Sequence, residues 1–384
     1  MSATLNVQHA PIERLVLDSA GWPGLWAWPV DNRVGESPVW DAAEQALLWI
    51  DVRAPAVLRL HLPSDTLTRW MLPDVVGALA LAGPGQVALA LRRSVALLDL
   101  GSARLHTIAE VLEEPDGNRL DDGKVSPTGR WWVFGFMDDG AQNKQPSGAL
   151  YCAAWDGGSP RIRRLHTGPT VANGVAFSLC GTRLWFSDSH AGQVFSAAWN
   201  EATGTMGTPA PWCTSGEADG RPDGAAVDAS GHYWSAGVSA GCLNRFGADG
   251  RLLQKLPLPC RAPTMPCIGG ADQRTLFVTS LQRPHWRAVW TARCSQSRSR
   301  YPGSLCRIGR RRAELAVVSP GRRRGRRLAE NECRLQGSES RSTGVVDGRL
   351  PVPLRRRALA CGATLAASLS LAIRRNKCFG ILNC

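Results

Sequence analysis

Six stretches decide how this chain folds: DAAEQALLWIDV from Asp41, LAGPGQVALAL from Leu81, SPTGRWWVFGF from Ser126, SLCGTRLWFSDS from Ser178, DASGHYWSAGV from Asp228 and GADQRTLFVTS from Gly270. Each is a polar turn followed by a strand of bulky apolar residues. With Gln45, Gly85, Gly129, Gly181, Gly231 and Gln273 as turn markers, the intervals are 40, 44, 52, 50 and 42 residues. A repeat of that length matches one four-stranded propeller blade. Helical periodicity is nearly absent between the copies, and Gly, Pro, Asn and Asp clusters recur at strand-length spacing. A β-sandwich shares that strand spacing but does not predict six similar phrases. The expected fold is therefore all-β, a six-bladed β-propeller over residues 1–282.

Charge separates this region from the C-terminal hundred or so residues. Residues 1–282 carry 22 Lys+Arg against 27 Asp+Glu, a net of −5, whereas residues 283–384 carry 23 against 5, a net of +18. The formal +13 of the whole chain thus belongs to an Arg-rich tail of 22 arginines and one lysine, which lacks apolar periodicity and reads as disordered. Clustered cations attract phosphate. The tail has no zinc-finger, RNA-recognition or helix-turn-helix pattern, so nucleic acid is not the expected partner. Alternation stops after Leu281, and the tail is expected to lie outside the reading frame of the preceding repeat, leaving the sixth blade incomplete unless Leu15 to Trp28 helps close it.

The twelve cysteines form no CxxC pair, and the N-terminus lacks a basic region followed by an apolar run. A cytoplasmic protein without thiolate zinc sites is expected. The apolar run Ala358 to Ile373 is too short and too rich in small residues for a membrane span. Of the thirteen tryptophans before residue 283, several lie in the repeated phrase and are expected between packed blades. His61, His106, His166, His190 and His232 have no spacing suited to a metal or a triad.

Three phrases set a hard oxygen donor beside a tight turn: GESPVW with Glu36, VANGVAFS with Asn173 and GRPDGAAVD with Asp223. Such donors suit Ca²⁺, Mg²⁺ or Mn²⁺ and tolerate Zn²⁺ less naturally. Taken singly, each is an ordinary turn, since Asn-Gly and Asp-Gly favour turns on their own. Only their similar placement in different blades points to a shared ion.

On GESPVWD at Gly35, RLDDGKVSPTGR at Arg119, GALY at Gly148, ANGVAFS at Ala172, LWFSDS at Leu184, RPDGAAVDASGHYW at Arg221 and GGADQRTLFVTS at Gly269, the chain resembles the gluconolactonase, regucalcin and senescence-marker-protein family. The resemblance covers about residues 30 to 281. It implies a metal-dependent lactonase of carbohydrate metabolism, a monomer or weak oligomer, with one divalent cation (Ca, Mn, Mg or Zn) held by Glu36, Asn173 and Asp223. It further implies that Arg119 and Asp121 contact a small sugar lactone. Relatives usually carry Asn where this chain has Asp121; an amide donates and accepts, but a carboxylate only accepts, so hydroxyl recognition is expected to differ. Asp223 is the expected base for the attacking water. Lys124 is expected to offset nearby carboxylates.

Overall fold

Each of the six phrases folds as a hairpin joining the first two strands of a sheet. The pairs are Gly35–Asp41 with Ala46–Asp51, Val76–Gly83 with Gln86–Leu91, Asn118–Val125 with Trp132–Asp138, Ala172–Phe177 with Arg183–Asp188, Pro222–Val227 with Tyr233–Gly237, and Pro263–Gly269 with Thr275–Ser280. The six turn markers all take the left-handed conformation, with φ of 49° at Gln45, 66° at Gly85, 75° at Gly129, 65° at Gly181, 79° at Gly231 and 55° at Gln273. That hand matches the twist of the flanking strands, and glycine adopts it without a Cβ penalty.

The computed structural model describes residues 2–19, 22–140, 142–155, 160–282 and 290–295. The chain divides into two units, Met1–Gly309 with Asn376–Cys384, and Arg310–Arg375; every described residue lies in the first. The disorder and lost reading frame expected of the tail therefore lie outside the described residues, apart from one strand at Trp290–Ser295. Among the described residues the one helical element is the short 3-10 turn Leu62–Ser64.

The strands hydrogen-bond into antiparallel sheets whose innermost members follow one another in a closed circle. Gly35–Asp41 contacts Val76–Gly83, which contacts Asn118–Val125, then Ala172–Phe177, Pro222–Val227 and Pro263–Gly269, which returns to Gly35–Asp41. The result is an all-β propeller. Five sheets draw all their strands from residues 2–257. A further sheet runs Pro263–Gly269, Thr275–Ser280, Trp290–Ser295, Trp22–Pro29 and Leu15–Ser19, so an N-terminal strand and one from beyond Leu281 pair side by side. Among the described strands four are additions to the four-stranded repeat: Ser2–Thr4 extends the outer edge of the second sheet, Val7–Pro11 that of the first and Leu15–Ser19 that of the last, and the short Thr205–Met206 pairs with the third strand of the fourth sheet.

Apolar clusters lie between neighbouring sheets. Trp28, Trp40 and Trp49 are fully buried, and Trp40 stacks on Phe277 with ring centroids 5.5 Å apart, binding the first sheet to the last. Gly135 and Gly269 sit where a Cβ would fall 2.7 Å from that of Ala172 and 2.4 Å from the Trp40 ring, so their lack of a side chain sets how closely adjacent blades approach.

Candidate functional site

The residues singled out from the sequence all lie in the first halves of innermost strands. Glu36 belongs to Gly35–Asp41, Arg119 and Asp121 to Asn118–Val125, Asn173 to Ala172–Phe177 and Asp223 to Pro222–Val227. At each point the ladder with the second strand slips: between Glu36 and Val39, Asp121 and Gly123, Asn173 and Ala176, and Pro222 and Ala225. A bulge of this kind turns a side chain out of the regular alternation. It explains how polar groups leave the packed faces of the blades for the axis. Ser37 (φ 52°) and Gly174 (φ 61°) hold the bulges beside Glu36 and Asn173.

Two direct contacts join these residues. Asn173 Nδ2 donates to Asp223 Oδ1 at 2.7 Å, across neighbouring blades, and to Ser189 Oγ at 3.1 Å. Arg119 Nη1 donates to Asp121 Oδ1 at 2.7 Å and to the Leu120 carbonyl at 3.0 Å, while its Nε donates to Asp139 Oδ1 at 2.9 Å. Arg119, Asp121, Asn173 and Asp223 are all buried, each between 6% and 7% exposed.

Glu36 reaches the group through its field. Burial first, then the charges of Asp223, Asp122 and Asp121, push its carboxyl well above the usual range, with only the Ser37 backbone opposing them. Asp223 is likewise raised, by burial and then by Asp121 and Asp122, against the opposing charge of Arg221 and the Gly224 backbone N–H. Four acids therefore share one poorly solvated end of the channel. Mutual repulsion of that size is relieved by a proton or by a cation.

Asp122 is the group that sequence reasoning missed. It is 4% exposed, and its Oδ2 accepts the Val175 N–H at 2.9 Å, tying the third blade to the bulge that carries Asn173. Burial raises its pKa to about 6, offset in part by Lys124, which is the role expected of that lysine. Tyr233 clamps the same bulge from the fifth blade by donating to the Gly174 carbonyl at 2.8 Å. The Asp-Asp-Gly run at Asp121 carries a turn signal, which masks the second acid in the sequence.

The donor set fits a hard cation. Its groups are oxygen donors, two of them carboxylates destabilised by their neighbours, and Asp121 Oδ2 and Asp122 Oδ1 are buried without a hydrogen-bond partner. Among the described residues, no three His, Cys, Asp or Glu side chains are grouped as a cation-holding set. Glu36 and Asp223 supply two acids, and the third donor would be the Asn173 amide. His232 bonds Asp228 at 3.2 Å. The cysteines of the described region are all free thiols.

Comparison with known proteins bears on this geometry. The profile of the SMP-30/gluconolactonase/LRE-like region matches residues 34–282. A 6-deoxy-6-sulfogluconolactonase of Pseudomonas putida is 33% identical over 248 residues, 64% of this chain and 83% of the relative. An L-arabinolactonase of Azospirillum brasilense is 30% identical over 252 residues, 65% of this chain and 81% of the relative. The crystal structure of a calcium-binding protein, regucalcin, from Agrobacterium tumefaciens superposes with a TM-score of 0.63 at 25% identity, covering 70% of this chain and 93% of that one.

Proposed function

Because the chain belongs to the SMP-30/gluconolactonase/LRE-like family and is a lactonase, we propose that it opens a sugar lactone to the aldonic acid with one divalent cation held by Glu36, Asn173 and Asp223. The observation that carries this reading is the buried Asn173–Asp223 contact, placed within the fields of Glu36 and Asp121 at one end of the channel. The catalytic domain is then residues 1–282 joined by the strand Trp290–Ser295, which completes the sheet taken as the sixth blade. Regucalcin in Agrobacterium is named a calcium-binding protein, which makes Ca²⁺ the first cation to test, ahead of Mn²⁺, Mg²⁺ and Zn²⁺.

When bound, the cation supplies Lewis-acid polarisation of the lactone carbonyl. The remaining work falls to the chain. Asp223, as a carboxylate beside Asn173 at the mouth of the channel, holds the attacking water and takes its proton. Arg119 fixes the ring through charge-assisted bonds, itself held rigid by Asp121 and Asp139. Asp121 accepts from sugar hydroxyls through the Oδ2 that no protein donor occupies.

Acid release from a panel of aldonolactones, followed with a pH indicator in EDTA and then with each cation restored, tests the proposal. Cation-dependent turnover is the expected result. Equal rates with and without cation would remove the cation's role, and no turnover of any lactone would remove the reaction.

A further inference from the structure

The rim of the same channel end carries a cluster of arginines gathered on one carboxylate that neither cation binding nor water activation uses. Arg53, Arg92 and Asp139 occupy corresponding turns, each following the second strand of its sheet, in the first three blades. Asp139 receives Arg53 through Nη2 to Oδ1 at 2.5 Å and Nη1 to Oδ2 at 3.2 Å. It also receives Arg119 Nε at 2.9 Å, and Arg92 Nη1 stands 3.6 Å from its Oδ2. A fourth cation, Lys144, donates to the adjoining Asp138 carbonyl.

One carboxylate needs one guanidinium to fix it, and here it gathers three. Arg119 is nearly enclosed, with 8% of its side chain exposed, but Arg53 keeps 45% and Arg92 38%. Each guanidinium has five N–H donors in a planar fork. Arg53 spends its described bonds on Asp139 alone, and Arg92 spends Nε on Asp74 at 3.2 Å. Donors are left on both, in water, one carboxylate away from the arginine that faces Asp121. Such forks match the oxygens of a phosphate, sulfonate or carboxylate.

Resting on the lactonase reading above, we infer that Arg53 and Arg92 form a subsite for an anionic group carried at the far end of the substrate from the lactone carbonyl. The preferred substrates are then acidic sugar lactones. The competing role, in which the two arginines only hold the Asp139 turn against its neighbours, predicts equal losses on neutral and charged substrates.

The test compares kcat/KM for glucono-1,5-lactone, its 6-phosphate and a glucarolactone in the wild type, Arg92→Gln, Arg92→Lys and the double variant Arg53→Gln/Arg92→Gln. Calorimetric binding of 6-phosphogluconate against gluconate supplies a readout that needs no turnover. The wild type is expected to favour the 6-phosphate through KM, with the advantage shrinking between about 20 and 200 mM salt. In the double variant the charged-to-neutral ratio should fall about tenfold, with Arg92→Lys in between. Loss of both activities in parallel, or a wild type without preference for charge, overturns the subsite while leaving the lactonase reading intact. If no lactone is turned over yet 6-phosphogluconate binding weakens about tenfold in the double variant, the subsite stands and the lactonase reading falls. Absence of both turnover and binding overturns both.

Discussion

The amide of Asn173 and the carboxylate of Asp223, fifty positions apart, meet at 2.7 Å across two blades. Both are buried, and Asp223 carries the heavier load because its charge lies beside those of Asp121 and Asp122. Asp223→Asn keeps the shape and the contact but removes the base and one negative ligand. Hydrolysis should fall by about 10³-fold, within the range seen when a general base is lost. Thermal unfolding of the cation-free variant at pH 8 should come at a higher temperature than for the wild type, because a buried repulsive charge has gone. An acid-release assay beside a melting curve checks both; a variant that is both inactive and less stable would assign Asp223 to structure instead.

The raised carboxyls set how stability depends on pH. Burial and mutual repulsion lift Glu36 and Asp223 well above their ordinary values, and burial lifts Asp122 from 3.8 to about 6. The folded state therefore binds these protons more tightly than the unfolded chain does, and stability falls as pH rises from the ordinary carboxyl range through the raised values. Asp138, Asp139 and Asp228 are lowered, so their contribution is lost only when pH falls through their lowered values, below 3.8. In EDTA the protein should melt at a higher temperature near pH 5.5 than near pH 8. A divalent cation should reverse the order, stabilising more at pH 8 and releasing protons on binding. Identical melting temperatures at the two pH values in EDTA would show that the acids are not repelling one another.

Asp121 is the neighbouring charge that contributes most to lifting Asp223, and it also acts on Glu36 and Asp122. Asp121→Asn removes that charge and gives Arg119 an amide in place of its 2.7 Å carboxylate partner. The acidic limb of the kcat/KM profile should move to lower pH, since a less crowded Asp223 ionises sooner. Discrimination among lactones differing at one hydroxyl should change as well, because the amide can donate where the carboxylate cannot. Profiles recorded on a pair of epimeric lactones test both effects; an unmoved acidic limb would separate Asp121 from the base.

Local signals carried most of the fold. The turn markers read from the sequence are the residues that adopt left-handed φ, because hairpin chemistry is set within four or five residues. Glu36, Asn173 and Asp223 stand out in the sequence for the same reason, each beside a turn-forming or β-breaking neighbour, and their shared role is the proposal made above. Asp122 was not, since what distinguishes it is a bond to Val175 in another blade, and the bulges that aim these side chains leave no periodic trace. The rim cluster was equally hidden: Arg53, Arg92 and Asp139 look like unrelated loop charges until the circular order of the blades brings them together. The edge strands Ser2–Thr4 and Val7–Pro11 obey the same rule, being defined by pairings about a hundred and about sixty residues away.

The last sheet is held together by a single strand from beyond Leu281. Trp290–Ser295 lies between Thr275–Ser280 and Trp22–Pro29, with Val278 opposite Ala292 on one side and Cys294 opposite Leu25 on the other. The repeat read from the sequence ends at Leu281, so this strand decides whether the last sheet is completed without help from residues further on. A chain ended at residue 282 loses both ladders and leaves two strand edges open. Losing that many hydrogen bonds should cost several kcal/mol and lower the melting temperature by about 10 °C. A chain ended at residue 298 should melt close to the full-length protein, and one beginning at residue 31 should fail like the shorter truncation, since it removes the partner strand instead. If the chain ended at residue 282 melts within about 2 °C of the full-length protein, the strand at Trp290 does not close the propeller, and the N-terminal strand must pair with Thr275–Ser280 directly.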